Sequence, residues 1–210
     1  MIFLDIETGP LPSRQRLFEK PDPETFSYGN AAKEETRQKK FDEAVRTWES
    51  GENAALKAET GRVLLIGMYR NEYWCLCEED EKQILDSFWD EVREPEPIIG
   101  HNSLSFDVPF LIRRSLIAGS AVPPWVLTDI QSYNPDLLHD TMRMWQFGDR
   151  RYYTSLNTLC AVLGLPVYDG PVTGATFWRW WETDKTEALR YNESDVRSTE
   201  AVYRKLGGKR

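Results

Sequence analysis

The sequence predicts an α/β fold in which helices flank a mixed, roughly five-stranded central sheet. Three observations carry that expectation. The apolar runs Ile2–Ile6, Arg62–Tyr69 and Ile98–Gly100 have the length of buried strands. After Arg70-Asn71-Glu72, the second run is followed by Tyr73–Cys77, which predicts a hairpin. Beyond the hairpin, helical and strand patterns alternate, and the two arrangements together make a mixed sheet.

Taken in order, Ile2–Ile6 is a strand ended by the turn signal Thr8-Gly9-Pro10. From about residue 10 to 60 the pattern breaks. Pro10, Pro12, Pro21 and Pro23 are followed by a charged stretch in which Phe41, Val45 and Trp48 share one helical face. This reads as a helical insertion or cap on a single domain spanning 1–210. A helix follows the hairpin over about Asp80–Val92, and Pro95 and Pro97 punctuate the approach to Ile98–Gly100. Then come a helix from about Phe106 to Ala118, a strand near Leu137–His139 and a helix over about Ser155–Leu163. The last helix runs from about Lys185 to Leu206 and stops at Gly207-Gly208.

Composition narrows the class. Hydrophobic residues make up 40% of the 210 and aromatics 12%, which fits a globular chain. No apolar run reaches the length of a membrane helix, and no basic, apolar leader opens the sequence. Cys75, Cys77 and Cys160 show neither disulfide nor zinc spacing, so a reducing, cytoplasmic setting is expected. The net charge of −8 argues against metal-free binding of long duplexes. Residues 140–210 nevertheless hold 11 Lys and Arg against 9 Asp and Glu. A carboxylate cluster built for divalent cations also counts as acidic until it is loaded.

Three segments carry candidate chemistry. Asp5 and Glu7 lie two apart on a strand and therefore point to one face, offering the hard oxygens that Mg²⁺ or Mn²⁺ prefers. Asp107 follows a loop at the end of the third strand and opens a helix, a place where α/β sheets hold ligands and also where an aspartate simply caps. Tyr191 and Asp195 sit one turn apart on the last helix, so the phenol and the carboxylate emerge together. Each segment alone has an ordinary structural explanation.

In the order D-x-E, N-x-x-x-F-D-x-P-F-L, Y-x-x-x-D, the segments resemble the DEDD superfamily of 3′–5′ exonucleases, tyrosine subgroup. The second is similar to the exonuclease domain of B-family DNA polymerases. The resemblance covers about residues 1–9 and 62–206 and implies a ribonuclease H-like fold. It implies that Asp5, Glu7, Asp107 and Asp195 hold two Mg²⁺ or Mn²⁺ ions. Asp5 would bridge them, Glu7 and Asp195 would complete one site, and Asp107 would serve the other. Tyr191 would orient the attacking water, because a phenol with a pKa near 10 is a poor base at neutral pH. The histidine subgroup places its base five residues before the last aspartate, where this chain has Arg190. Thr8, Asn102 and Phe106 would lie beside the terminal nucleotide. The implied partner is single-stranded nucleic acid, with DNA favoured over RNA, and no membrane.

Two cations roughly 4 Å apart suit phosphodiester hydrolysis, one activating water and the other holding the leaving 3′ oxygen. Competing readings are a nuclease-like binding module without catalysis, an RNA-trimming enzyme of the same fold, and a phosphohydrolase with an aspartate nucleophile. The last would need Asp at position 7. His101 reads as a loop or core histidine, and His139-Asp140 as structural, since neighbours on a strand face opposite ways. Two stretches, Met142–Tyr153 and Thr176–Trp181, mix aromatics with arginines as single-strand binders do. Core packing is expected to account for more than half of those aromatics. Residues 10–60 are expected either to cover the site or to dock a protein partner.

Overall fold

The computed structural model describes residues 1–12, 20–50 and 52–208. Its strands are β1 (Ile2–Pro10), β2 (Gly61–Tyr69), β3 (Tyr73–Leu76), β4 (Ile98–Gly100) and β5 (Leu138–Asp140). Its helices are α1 (Glu34–Ser50), α2 (Glu52–Ala55), α3 (Glu81–Glu91), α4 (Asp107–Ala118), α5 (Pro124–Asp129), α6 (Thr141–Gln146), α7 (Leu156–Leu163), α8 (Phe177–Thr183) and α9 (Lys185–Lys205).

The strands form one sheet in the order β3-β2-β1-β4-β5. β2 runs antiparallel to β1 and β3, whereas β1, β4 and β5 are parallel. The hairpin therefore supplies one side of the sheet, and helical crossovers through α3 and α4 supply the other. Alternation along β1 divides its side chains between two cores. Ile2, Leu4 and Ile6 pack with Ile84, Leu85 and Phe88 of α3 and with Phe110 and Leu111 of α4. Phe3 packs the other way, with Val196 and Tyr203 of α9. Asp5 and Glu7 share the face of Phe3, which puts them beneath α9.

β1 is longer than its sequence suggests. Thr8-Gly9-Pro10 continues the strand, because β2 contributes an extra residue to the ladder: Glu7 pairs with Leu65 and Thr8 with Val63. Leu64 is the bulged residue between them. A Cβ at Gly9 would stand 2.7 Å from the Leu64 side chain and 3.2 Å from Trp178 of α8. The glycine thus serves close packing of α8 on the strand, where a turn was expected. The short helices α2, α5, α6 and α8 were also not foreseen, since four to seven residues are too few to show a helical period.

Between β1 and β2, the expected surface helix forms as α1, with Phe41 set edge-on against Phe26 at 5.4 Å. Residues 13–19 and 51 of the expected insertion lie outside the described residues. Its far end joins the core, since Ala55 and Ala58 are buried. Arg114 of α4 secures that junction. Its guanidinium is bidentate to Glu81 of α3 and donates to the Ala58 carbonyl at 2.8 Å. Glu81 in turn accepts from the Val63 amide of β2 at 2.8 Å. No helix among the described residues is long and apolar enough to cross a membrane.

Candidate active site

Oxygens of Asp5, Glu7 and Asp195 lie within 4.8 Å of one another. β1 supplies the first two from one face, and α9 lowers the third onto them. Glu7 is buried, while Asp5 and Asp195 are half-buried at the mouth of the site. Burial and mutual repulsion raise Asp5 and Glu7 well above the usual carboxylate range. Burial lifts Asp195 to about 6, offset in part by a hydrogen bond from Tyr191. Among the described residues, no Lys or Arg is among the causes of these shifts, which come from burial and neighbouring carboxylates. That donor set, hard, oxygen-only and electrostatically unsatisfied, fits a divalent cation.

Asp107 stands outside this group, and its placement explains why. The pairing of β4 with β1 ends at Phe3 and Ile99, and the Ile6 amide would be left without an acceptor. Asp107 Oδ1 accepts from it at 3.1 Å. The carboxyl therefore closes a gap in the sheet while its charge still acts on Asp5 and Glu7. Burial pushes it up to about 7. It is not the N-cap of α4, a position held by Phe106.

Tyr191 lies one turn before Asp195, with its ring edge-on to Tyr168 at 5.0 Å and tilted against Phe177 at 6.2 Å. Burial and the three carboxylates push the phenol far up, so it stays neutral and keeps its proton. Arg190, at the position of the histidine subgroup's base, turns away. It binds Asp169 at 3.0 Å and Glu187 at 2.8 Å, and stacks over Tyr168 at 4.7 Å.

The residues expected beside a terminal nucleotide differ in availability. Thr8 is buried in β1, and strand alternation puts it on the face opposite Glu7, which leaves its backbone as the accessible part. Asn102 adopts a left-handed conformation, φ 61°, with its amide bound to Asp140 Oδ1 at 2.9 Å. Among the described residues its side chain makes no hydrogen bond, so it is free for a ligand. Phe106 is half-buried against Phe110, centroids 5.5 Å apart. His101 and Asp140 are structural, as their sequence context suggested. Both His101 nitrogens are engaged, by Thr141 and by the Thr154 carbonyl, each at 2.9 Å. Asp140 accepts from the amides of Asn102 and Leu104 and caps α6.

Sequence reasoning missed Asn192. It is fully buried, and its Nδ2 donates to Asp5 Oδ2 at 2.8 Å and to Glu7 Oε1 at 3.5 Å. The Tyr73 hydroxyl of β3 donates to its Oδ1 at 3.0 Å. Room for this amide comes from Gly67, the cross-strand partner of Asp5. A Cβ there would stand 1.7 Å from Asn192 Oδ1. A glycine within the apolar run of β2 was the available signal.

Comparisons with known proteins bear on the fold and the family. The structure resembles that of the family B DNA polymerase from the hyperthermophilic archaeon Pyrobaculum calidifontis, with a TM-score of 0.62 at 18% identity. The match covers 98% of this chain and 24% of the polymerase chain, so the chain spans about a quarter of its length. At that identity the likeness shows the fold alone, a mixed sheet flanked by helices. No curated protein matches the sequence. A family match spans residues 62–208 and so takes in Asp107, Tyr191 and Asp195, while Asp5 and Glu7 are joined to them by the sheet and by Asn192. On that match the chain belongs to the family of predicted 3′–5′ exonucleases related to the exonuclease domain of PolB.

Proposed function

We propose that this protein removes nucleotides from the 3′ end of single-stranded nucleic acid, with DNA favoured, by a two-metal-ion mechanism. The observation that carries the reading is the meeting of Asp5, Glu7 and Asp195 within 4.8 Å, with Tyr191 one turn from Asp195. Asp5, Glu7 and Asp195 would hold Mg²⁺ or Mn²⁺, with Asp107 contributing through the oxygen not bonded to Ile6. When bound, such ions supply an activated water at neutral pH and relief of charge on the leaving oxygen. Tyr191 positions the water through its neutral hydroxyl, without taking a proton from it. Asn102 and Phe106 hold the terminal nucleotide, and the Thr8 backbone meets its 3′ hydroxyl. Residues 10–60 cover the site or dock a protein partner. Deleting 20–50 should change substrate choice in the first case and leave it unchanged in the second.

The direct test is digestion of 5′-labelled and 3′-labelled DNA and RNA strands with Mn²⁺. A ladder shrinking from the 3′ end is expected, abolished by EDTA and by Asp5→Ala or Asp195→Ala. Unchanged activity in Asp5→Ala would remove the assignment, and cleavage of RNA alone would replace the DNA preference. A folded protein that binds strands without cutting them would be the binding module.

A further inference from the structure

Core packing accounts for the aromatics of Thr176–Trp181, where Phe177 is buried and Trp178, Trp180 and Trp181 pack around it. It does not account for those near α6. Every exposed large aromatic among the described residues lies in one region: Tyr133 (74%), Phe147 (85%), Tyr152 (57%) and Tyr153 (69%). Beside them a groove of about 350 Å³ is lined by Arg143 and Arg150, and by Leu104 from the loop that also carries Asn102 and Phe106. Arg150 stacks 4.1 Å from the Tyr133 ring and donates to its carbonyl at 3.1 Å.

The groove adjoins the candidate site by construction. β4 and β5 are parallel, so the loops that follow them leave the same edge of the sheet. Asp140 ties Asn102 and Leu104 to the start of α6, and His101 holds the Thr154 carbonyl at the end of the aromatic loop.

Phe147 supplies an independent observation. It is the C-cap of α6 with φ 46°, a left-handed position that suits glycine and strains a bulky residue. Among the described residues its ring pairs with Trp145 alone, tilted at 6.4 Å. Neither the backbone nor the core favours phenylalanine here, whereas an exposed stacking surface does. In a chain of net charge −8, residues 143–151 carry three arginines against one aspartate.

We infer that this groove binds the single strand behind the 3′ nucleotide, its bases stacked on Phe147, Tyr152 and Tyr153 and its phosphates on Arg143 and Arg150. The inference rests on the exonuclease reading, because it makes the groove the approach to that site. A duplex keeps its base faces paired and stacked, so the groove discriminates against it.

The test is fluorescence anisotropy of a labelled dodecanucleotide with the full chain in EDTA, where no turnover occurs. Phe147→Gly should weaken binding about tenfold, the worth of one stacked base. The same substitution relieves the left-handed strain, so its Tm should be unchanged or higher. Arg150→Ala should reduce the salt dependence of log Kd by about 0.7, one phosphate contact. Hydrolysis of a dinucleotide with Mn²⁺, too short to reach the groove, should be unaffected by either change. The inference is overturned if Phe147→Gly binds within about twofold of the parent. Equal loss on dodecanucleotide and dinucleotide overturns it too, as does duplex binding as tight as single strand. Because anisotropy needs no turnover, failure of the parent to hydrolyse anything would count against the exonuclease reading alone.

Discussion

Asn192→Ala separates a positioning role from a packing one. The amide is fully buried and makes its short bond, 2.8 Å, to Asp5, with a longer one of 3.5 Å to Glu7. Losing a charge-assisted donor costs about 1.5–3 kcal/mol, and the Tyr73 hydroxyl loses its acceptor as well. A total on the order of 3 kcal/mol lowers Tm by roughly 6–12 °C for a chain of this size. Packing loss alone produces that fall. Positioning adds a second consequence. A carboxylate that ligates a metal is oriented by its outer hydrogen bonds, and removing one weakens metal affinity about 10–100-fold. The assay is therefore paired: thermal unfolding in EDTA, and Mn²⁺ titration of hydrolysis at a temperature where the variant is folded. Half-saturating Mn²⁺ should rise by at least about tenfold while activity at saturating metal recovers substantially. A variant whose Tm falls as expected but whose Mn²⁺ requirement moves less than about twofold would show that Asn192 only fills space.

Other perturbations probe the same framework. Gly67→Ala should copy Asn192→Ala in both readouts, because its Cβ claims the space of Asn192 Oδ1; a normal Mn²⁺ requirement would refute that link. Tyr73→Phe removes only the bond that anchors the amide, and should raise the Mn²⁺ requirement by less than Asn192→Ala does. In EDTA the parent should lose stability between about pH 4 and pH 7. A carboxyl raised on folding contributes stability that is complete below its unfolded pKa and is lost as pH rises through the folded one. For Asp195, at about 6, the loss is on the order of 3 kcal/mol. Asp195→Asn should flatten that part of the profile and Mn²⁺ should offset it at high pH; identical profiles for parent and variant would refute the assignment. Arg114→Met strands Glu81 in a buried site and should cost about 3–5 kcal/mol, lowering Tm without changing the turnover of folded molecules.

How far these features could be read from sequence follows from how local their causes are. Asp5 with Glu7, and Tyr191 with Asp195, were legible because strand and helix periods alone put each pair on one face. For Asp107 its place at the start of α4 was legible but its contact was not, since its bond to Ile6 depends on where β4 stops. The extension of β1 through Gly9 depends on a bulge in β2 and on Trp178, both remote in sequence. Asn192 was the hardest to find. It neighbours Tyr191, yet its role needs a side chain missing at Gly67 on one strand and a hydroxyl from Tyr73 on another. No period in α9 marks it.

The two aromatic stretches make the same point about surfaces. Met142–Tyr153 and Thr176–Trp181 have similar composition, and composition fixes only what each could bind. Burial decides what each does: Phe177 is wholly enclosed, Phe147 is 85% exposed. The difference comes from how each short helix is anchored. α8 lies across Gly9 and must bury its aromatics against β1 and α9. α6 is held at its start by Asp140, and its other end carries the exposed Phe147. Under the proposed function, one aromatic face builds the wall behind Tyr191 and the other is left open for the strand. Exchanging Phe147 for glycine asks whether that open face is used.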